Sequence, residues 1–280
     1  MYFACGEQAL SYLRKKDKRL CEVIDRIGHI DRTVDPDLFS SVVHHIIGQQ
    51  ISTKAQATIW QRVQDALGTV NAEAILAAGV PSLQALGMTF RKAAYITDFA
   101  ERVHTGAFDL DAVAHMSDEA AIRALSSLKG IGVWTAEMIL LFCLQRPDIF
   151  SYDDLAIRRG LRMVYHHREI DRDLFEKYRR RFCPYCSVAS LYLWAVSGGA
   201  IPEMKITSKK ANRSVQYGLY DRIRVPARPH HAGLRRGGDH RSVVQWTAVF
   251  RQYSAGADRK KRTPAVRGRE ALAGCVLLRT

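Results

Sequence analysis

Residues 128–160 read LKGIGVWTAEMILLFCLQRPDIFSYDDLAIRRG, and two features of this stretch govern the reading of the chain. The first is Lys129-Gly130-Ile131-Gly132, a glycine hairpin between two segments of helical periodicity. Glycine reaches backbone conformations closed to other residues and leaves no Cβ between backbone and ligand. The N–H groups that open the following helix then favour an anion such as a phosphate oxygen. The second is Asp153-Asp154, which precedes Leu155, Ile157, Leu161 and Val164 at helical spacing. Taken alone, the hairpin is equally a tight turn between helices, and the aspartates are N-caps, a position for which Asp is preferred. The alternative for the pair is a carboxylate kept ionised by a helix N-terminus and aimed at positive charge developing in a reaction.

The 280 residues allow one large domain or two smaller ones, with ample apolar content for a core. No run of about eighteen apolar residues is present, so no membrane span is expected. The opening MYFACGEQALSYLRKKDKRL lacks the charged-then-apolar order of a signal peptide, and a cytoplasmic location is expected. Of the six cysteines only Cys183 and Cys186 are closely paired, which in a reducing compartment makes no disulfide framework. Lacking a partner pair, they also make no four-cysteine metal centre, and they are read as free thiols. The formal charge of +14 invites a polyanion as partner. Its distribution weakens that inference: residues 207–280 hold 17 Lys and Arg against 4 Asp and Glu, whereas the rest holds 25 against 24.

Apolar residues recur at helical spacing over 37–67, interrupted near Gly48 to Ser52. Further helices are predicted at 71–77, 90–104, 117–127, 133–145, 155–167, 171–181 and 187–197. Breaks fall at Val80-Pro81, Gly106 and Arg146-Pro147-Asp148. Alternating β-branched residues are rare, so the fold class is all-α, with any strands confined to the first residues. Residues 1–206 form the predicted domain. The Arg-rich tail 207–280 lacks a sustained apolar period and is expected to be disordered or out of frame. A one-nucleotide shift after Tyr220 can give a sequence resembling the start of an O6-alkylguanine-DNA alkyltransferase. The Pro-Cys-His-Arg motif of that activity is absent, and none is assigned.

Spacing joins the hairpin to the aspartates. LKGIGVWTAEMIL followed by FSYDDLAIRRGL resembles the helix–hairpin–helix/Gly-Pro-Asp superfamily of DNA glycosylases, and within it the 3-methyladenine DNA glycosylase II family. The resemblance extends over roughly residues 35–203, through HHIIGQQISTKA (44–55), GMTFRKAAYI (87–96) and PYCSVASLYLWAV (184–196). Ser151 departs from it, standing where the family motif commonly has proline. The resemblance implies a two-lobed helical fold with a DNA and base cleft between the lobes. It implies excision of alkylated purines, such as 3-methyladenine and 7-methylguanine, from double-stranded damaged DNA by a monomer that flips the base out of the duplex.

Residue by residue, Asp154 matches the catalytic carboxylate, with Asp153 as its capping neighbour. Trp134, Trp194 and Tyr152 match base-pocket aromatics, whose π-faces suit a cationic base. Gln50 is nearest to the residue that wedges the base stack, and Gln49 accompanies it. Lys129, Gly130, Ile131 and Gly132 form the phosphate-binding hairpin. Bifunctional relatives carry lysine where this chain has Trp134, so strand cleavage through a Schiff base is not expected. No cofactor or metal is implied, with a monovalent cation at the hairpin left open, and the location becomes nucleoid-associated in a prokaryote. From the residues alone, Trp194 is equally core, Trp134 is the better pocket candidate because the hairpin places it near Asp154, and the two glutamines do not displace the reading of a solvent-facing helix break. His44-His45 and His166-His167 are read as structural or solvent-facing, and Arg91-Lys92 and Arg158-Arg159 as phosphate contacts. Two other readings stay open: a related glycosylase for deaminated or oxidised bases, and a non-enzymatic DNA-structure-binding module. Asp154 separates them, since a binding module needs no such carboxylate.

Overall fold

The computed structural model describes residue 3 and residues 5–204, so the tail at 207–280 lies outside the described residues. Within them the chain forms twelve helices and no β-strand. The helix at 90–104 has the predicted ends, as α6 (Phe90–His104). The break after Gly48 is also found, between α3 (Leu38–Gly48) and α4 (Thr53–Leu67), with Ser52 capping the second. The break at Val80-Pro81 is a kink inside one element, α5 (Ala72–Ala85), where Gly79 leaves the helical conformation at φ 70°. Pro81 then opens the second half, where its missing N–H costs nothing.

The described residues near the start of the chain are helical, in keeping with the all-α class. Residues 7–27 form α1 (Glu7–Lys16) and α2 (Lys18–Ile27), divided at Asp17. Leu10, Leu13, Leu20, Val23 and Ile24 bury one face of this pair, each contributing about 1.5–3 kcal/mol on removal from water. Asp17 accepts from the Leu20 N–H as the α2 cap and from Arg181 at 2.7 Å.

The remaining helices are α7 (Leu110–His115), α8 (Asp118–Ser126), α9 (Val133–Phe142), α10 (Leu155–Tyr165), α11 (Arg172–Phe182) and α12 (Cys186–Ser197). Their principal contacts fall into two sets. Helices α3 to α9 pack among themselves, and α1 and α2 pack with α10, α11 and α12. The two-lobed arrangement is thus present, with the N-terminal pair closing onto the C-terminal helices. The lobes meet where Phe142 of α9 stacks on Trp194 of α12, ring centres 5.5 Å apart. No single helix among the described residues is long and apolar enough to cross a membrane. The bent pair α4 and α5, at 112°, has that length and composition only jointly.

Candidate active site and DNA interface

Asp154 sits at the seam between the lobes and is 2% exposed. Its Oδ1 accepts from the backbone N–H groups of Ala156 and Ile157, both at 2.9 Å, and from Trp194 Nε1 at 3.1 Å. Its Oδ2 accepts from Trp134 Nε1 at 3.1 Å. This corrects the division of labour expected for the aspartates: Asp154 itself caps α10, and Asp153 is exposed. Burial raises the Asp154 carboxyl above its usual range, and these four N–H donors oppose the rise. The close approach of α12 that brings Trp194 here needs Gly160, where a Cβ would collide with the Leu193 carbonyl oxygen.

Trp134 and Trp194 therefore meet on one carboxylate but differ in surroundings. Trp134 also lines a cavity of about 370 Å³ bounded by α3, α4 and α9, together with His44, His45, Trp60 and Met138. Trp194 is buried and does not line it; its position is that of a support for Asp154. Tyr152 also lies outside this cavity, edge-on to Phe175 at 5.2 Å with the guanidinium groups of Arg158 and Arg172 over its ring.

Trp60 is a site residue that sequence reasoning missed. Its ring lies 4.9 Å from that of His44 across the cavity wall. Its sequence signal is weak, since it adjoins Ile59 on the apolar stripe of α4. The reading of His44 and His45 as structural or solvent-facing is corrected in its second half, because both line the cavity. Burial lowers His44 to about 4 and lowers His45 as well, so both are neutral near pH 7.

Glu137 was missed too. It is a lone charge in the apolar run of α9, one turn beyond Trp134, which was a usable signal. It accepts a hydrogen bond from the buried Ser151 hydroxyl, tying α9 to the loop that leads into Asp154. Burial raises its carboxyl, and the neighbouring Asp153 and Asp154 raise it further.

The hairpin joins α8 to α9. Nine of the twelve described helices carry a side-chain cap, but α9 starts at Gly132 with none, leaving its first N–H groups available to an anion. Only Gly130 has a positive φ, 85°, and a Cβ there would lie 2.6 Å from the Tyr95 ring. Gly132 is extended (φ −92°) with no atom within 4 Å of where a Cβ would be, so its lack of side chain leaves room for a ligand. Ile131 is buried as the apolar anchor of the turn. The Lys129 ammonium is exposed and paired with Asp98. Beside the hairpin, Gln50 is exposed at a left-handed φ of 58°, and Gln49 donates to the Gly130 carbonyl at 2.5 Å. Among the expected phosphate contacts, Lys92 turns inward, donating to the carbonyls of Ile47 and Gln49, and Arg91 donates to the Tyr95 hydroxyl. No group of three or more His, Cys, Asp or Glu among the described residues could hold a metal ion.

Asp154 on a helix N-terminus at the seam, an open glycine hairpin and an aromatic cavity walled by Trp134 make this a helical protein whose anion-accepting turn lies one helix start away from a buried carboxylate. The family model described as "HhH-GPD superfamily base excision DNA repair protein" matches residues 43–185, and the chain belongs to that superfamily. It is 28% identical over 197 residues to DNA-3-methyladenine glycosylase 1 of Schizosaccharomyces pombe, covering 69% of this chain and 86% of that one. Among solved structures it resembles a DNA-3-methyladenine glycosidase from Bacillus halodurans, with TM-score 0.64 and 31% identity over 72% of this chain and 95% of that one. It also resembles the S. pombe 3-methyladenine DNA glycosylase in complex with abasic DNA, with TM-score 0.60 and 25% identity over 68% of this chain and 96% of that one. The chain spans 57–59% of the length of the two Bacillus subtilis relatives it matches.

Proposed function

We propose that this protein is a monofunctional DNA glycosylase that hydrolyses the N-glycosidic bond of alkylated purines in duplex DNA. The observation that carries the reading is Asp154, a buried carboxylate held by two indole and two backbone N–H groups beside an aromatic cavity and an uncapped helix start. Departure of the base leaves cationic character on the deoxyribose, and a preorganised carboxylate stabilises that charge and orients the attacking water. An alkylated purine is itself cationic and leaves without strong acid assistance. Trp134 and Trp60, with neutral His44, offer such a base π-faces without a competing positive charge.

In this reading the hairpin grips backbone phosphate and fixes register without reading sequence. Gln50 enters the stack from the opposite side as the base leaves it. The protein acts as a monomer, in the cytoplasm and on the nucleoid in a prokaryote. The reaction takes no cofactor. A monovalent cation would use the second lone pairs of the Leu128 and Gly130 carbonyls, which already accept from Ile131 and Gln49.

The test is incubation with methylated duplex, analysis of released bases, and borohydride treatment of the same reaction. Free 3-methyladenine or 7-methylguanine, an intact alkali-labile strand and no trapped protein–DNA adduct are expected. Tryptophan at 134 supplies no amine, and Lys129 is paired with Asp98. No base release from methylated DNA would sink the reading. A trapped adduct lost in Lys129→Ala would replace the monofunctional mechanism with a lyase.

A further inference from the structure

Lys92 lies next to Arg91 in a stretch of α6 that invites a phosphate contact, yet its ammonium turns to backbone carbonyls of the protein. It donates to the Ile47 carbonyl at 2.7 Å and the Gln49 carbonyl at 2.6 Å. These carbonyls belong to the end of α3, where an α-helix runs out of its own N–H donors and its dipole favours a cation. The side chain is half-buried, and burial lowers its pKa. Taking an ammonium out of water is costly unless its donors are satisfied, so the two carbonyls define one geometry for it.

That geometry governs the next two residues. Gln56 of α4 donates to the His44 carbonyl at 2.9 Å, closing one side of the α3 terminus, and Lys92 of α6 closes the other. The chain leaves between them, with Gln50 held in the left-handed region that non-glycine residues avoid. The Gln49 side chain crosses to the Gly130 carbonyl. Gly130 itself rests on the Tyr95 ring, one turn along α6 from Lys92. One helix therefore carries both the loop that presents Gln50 and the turn that presents the uncapped N-terminus of α9.

We propose that Lys92 is a positioning residue for base extrusion: by capping α3 it fixes Gln50 in its wedge conformation, and through Gln49 it sets the distance between the wedge and the phosphate-gripping hairpin. Lys92 touches neither phosphate nor base in this role. It rests on the glycosylase reading only for what the extrusion serves, because wedge insertion and salt dependence can be measured without catalysis.

The experiment compares wild type with Lys92→Met, Lys92→Arg and Gln49→Ala. Each is assayed for binding to undamaged duplex as a function of salt, for fluorescence of 2-aminopurine beside an abasic-site analogue, and for base release from methylated duplex. A lysine on phosphate contributes about 0.9 to the slope of log K against log salt. The expected result for Lys92→Met is an unchanged slope, a reduced 2-aminopurine signal and base release lower by roughly 10- to 100-fold, the scale of a misplacement of about 1 Å. Gln49→Ala should move in the same direction, and Lys92→Arg should recover part of the signal. A slope reduced by about one with full 2-aminopurine signal would make Lys92 a phosphate contact and overturn the proposal. Unchanged fluorescence in both Lys92→Met and Gln49→Ala would overturn it too. Should Lys92→Met fail to fold, Gln49→Ala decides alone. If wild type releases no base while the fluorescence responds as expected, the catalytic reading fails and the coupling stands.

Discussion

Two demands meet on the Asp154 carboxylate. As the α10 cap it must accept from the Ala156 and Ile157 N–H groups, and in the proposed mechanism it must stay ionised while 2% exposed. The conflict shows in pH dependence. Burial raises its pKa above 3.8, so between the unfolded and folded values the native state binds more protons, and stability falls as pH rises through that window. Asp154→Asn removes this fall. Its Oδ1 can still cap, while its Nδ2 meets the Trp134 N–H donor-to-donor at a cost independent of pH. The melting temperature of Asp154→Asn relative to wild type should therefore climb from pH 3.5 towards neutrality while base release is largely lost. Asp153→Asn, altering an exposed side chain, should keep most activity. Equal losses in the two variants would contradict the assignment. The tryptophans give a second prediction at this scale. Both indole bonds lower the Asp154 pKa, so Trp194→Phe should push it further up and move the acid limb of the pH–rate profile to higher pH. A limb that stays in place, with only overall activity reduced, would mean that Trp194 matters through packing alone.

At the hairpin the two glycines have different jobs, which their shared place in a G-h-G pattern conceals. Gly130→Ala forces a side chain into positive φ and onto the Tyr95 ring, and should destabilise the fold by about 1–3 kcal/mol. Gly132→Ala meets neither obstacle, and its stability should stay within about 0.5 kcal/mol of wild type. Its methyl group enters the space kept for ligand, so duplex binding should weaken. Urea unfolding and duplex titration of both variants check this, and a Gly132→Ala that binds DNA normally would show the open space to be unused. The hairpin, the break at Gly48–Ser52 and the extent of α6 were legible because glycine, Ser52 and the apolar period act locally. Helices α1 and α2 were not, since their stability comes from burial against α11 and α12 and from the Asp17–Arg181 pair, contacts between distant parts of the chain.

For the molecule as a whole, the site is a seam between two lobes, and that limits what a linear reading can find. Asp154 and Trp134 were legible through the family resemblance that the hairpin and the aspartates carry together. Trp60 and His44 as cavity walls were not, because each acquires its place only when α3, α4 and α9 close together, whereas Glu137 left a signal as the lone charge of α9 and only its Ser151 partner had to come from the fold. The inward turn of Lys92 is of the same kind, set by where the carbonyls of α3 end. The same scale separates the helical domain from the basic tail. Ile201, near the end of the described residues, is 2% exposed and belongs to the core, whereas the excess charge begins just after it: 17 Lys and Arg against 4 Asp and Glu over 207–280. A chain ending at residue 206 keeps every buried contact described above. It should unfold in one cooperative transition and release methylated purines at a rate close to that of the full chain. Its affinity for undamaged duplex should fall at low salt and converge with that of the full chain as salt rises, because the tail's contribution is release of counterions from phosphate. Loss of cooperative unfolding on truncation would show that the domain extends past residue 206, and an affinity gap that persists at high salt would show contacts from the tail beyond non-specific charge.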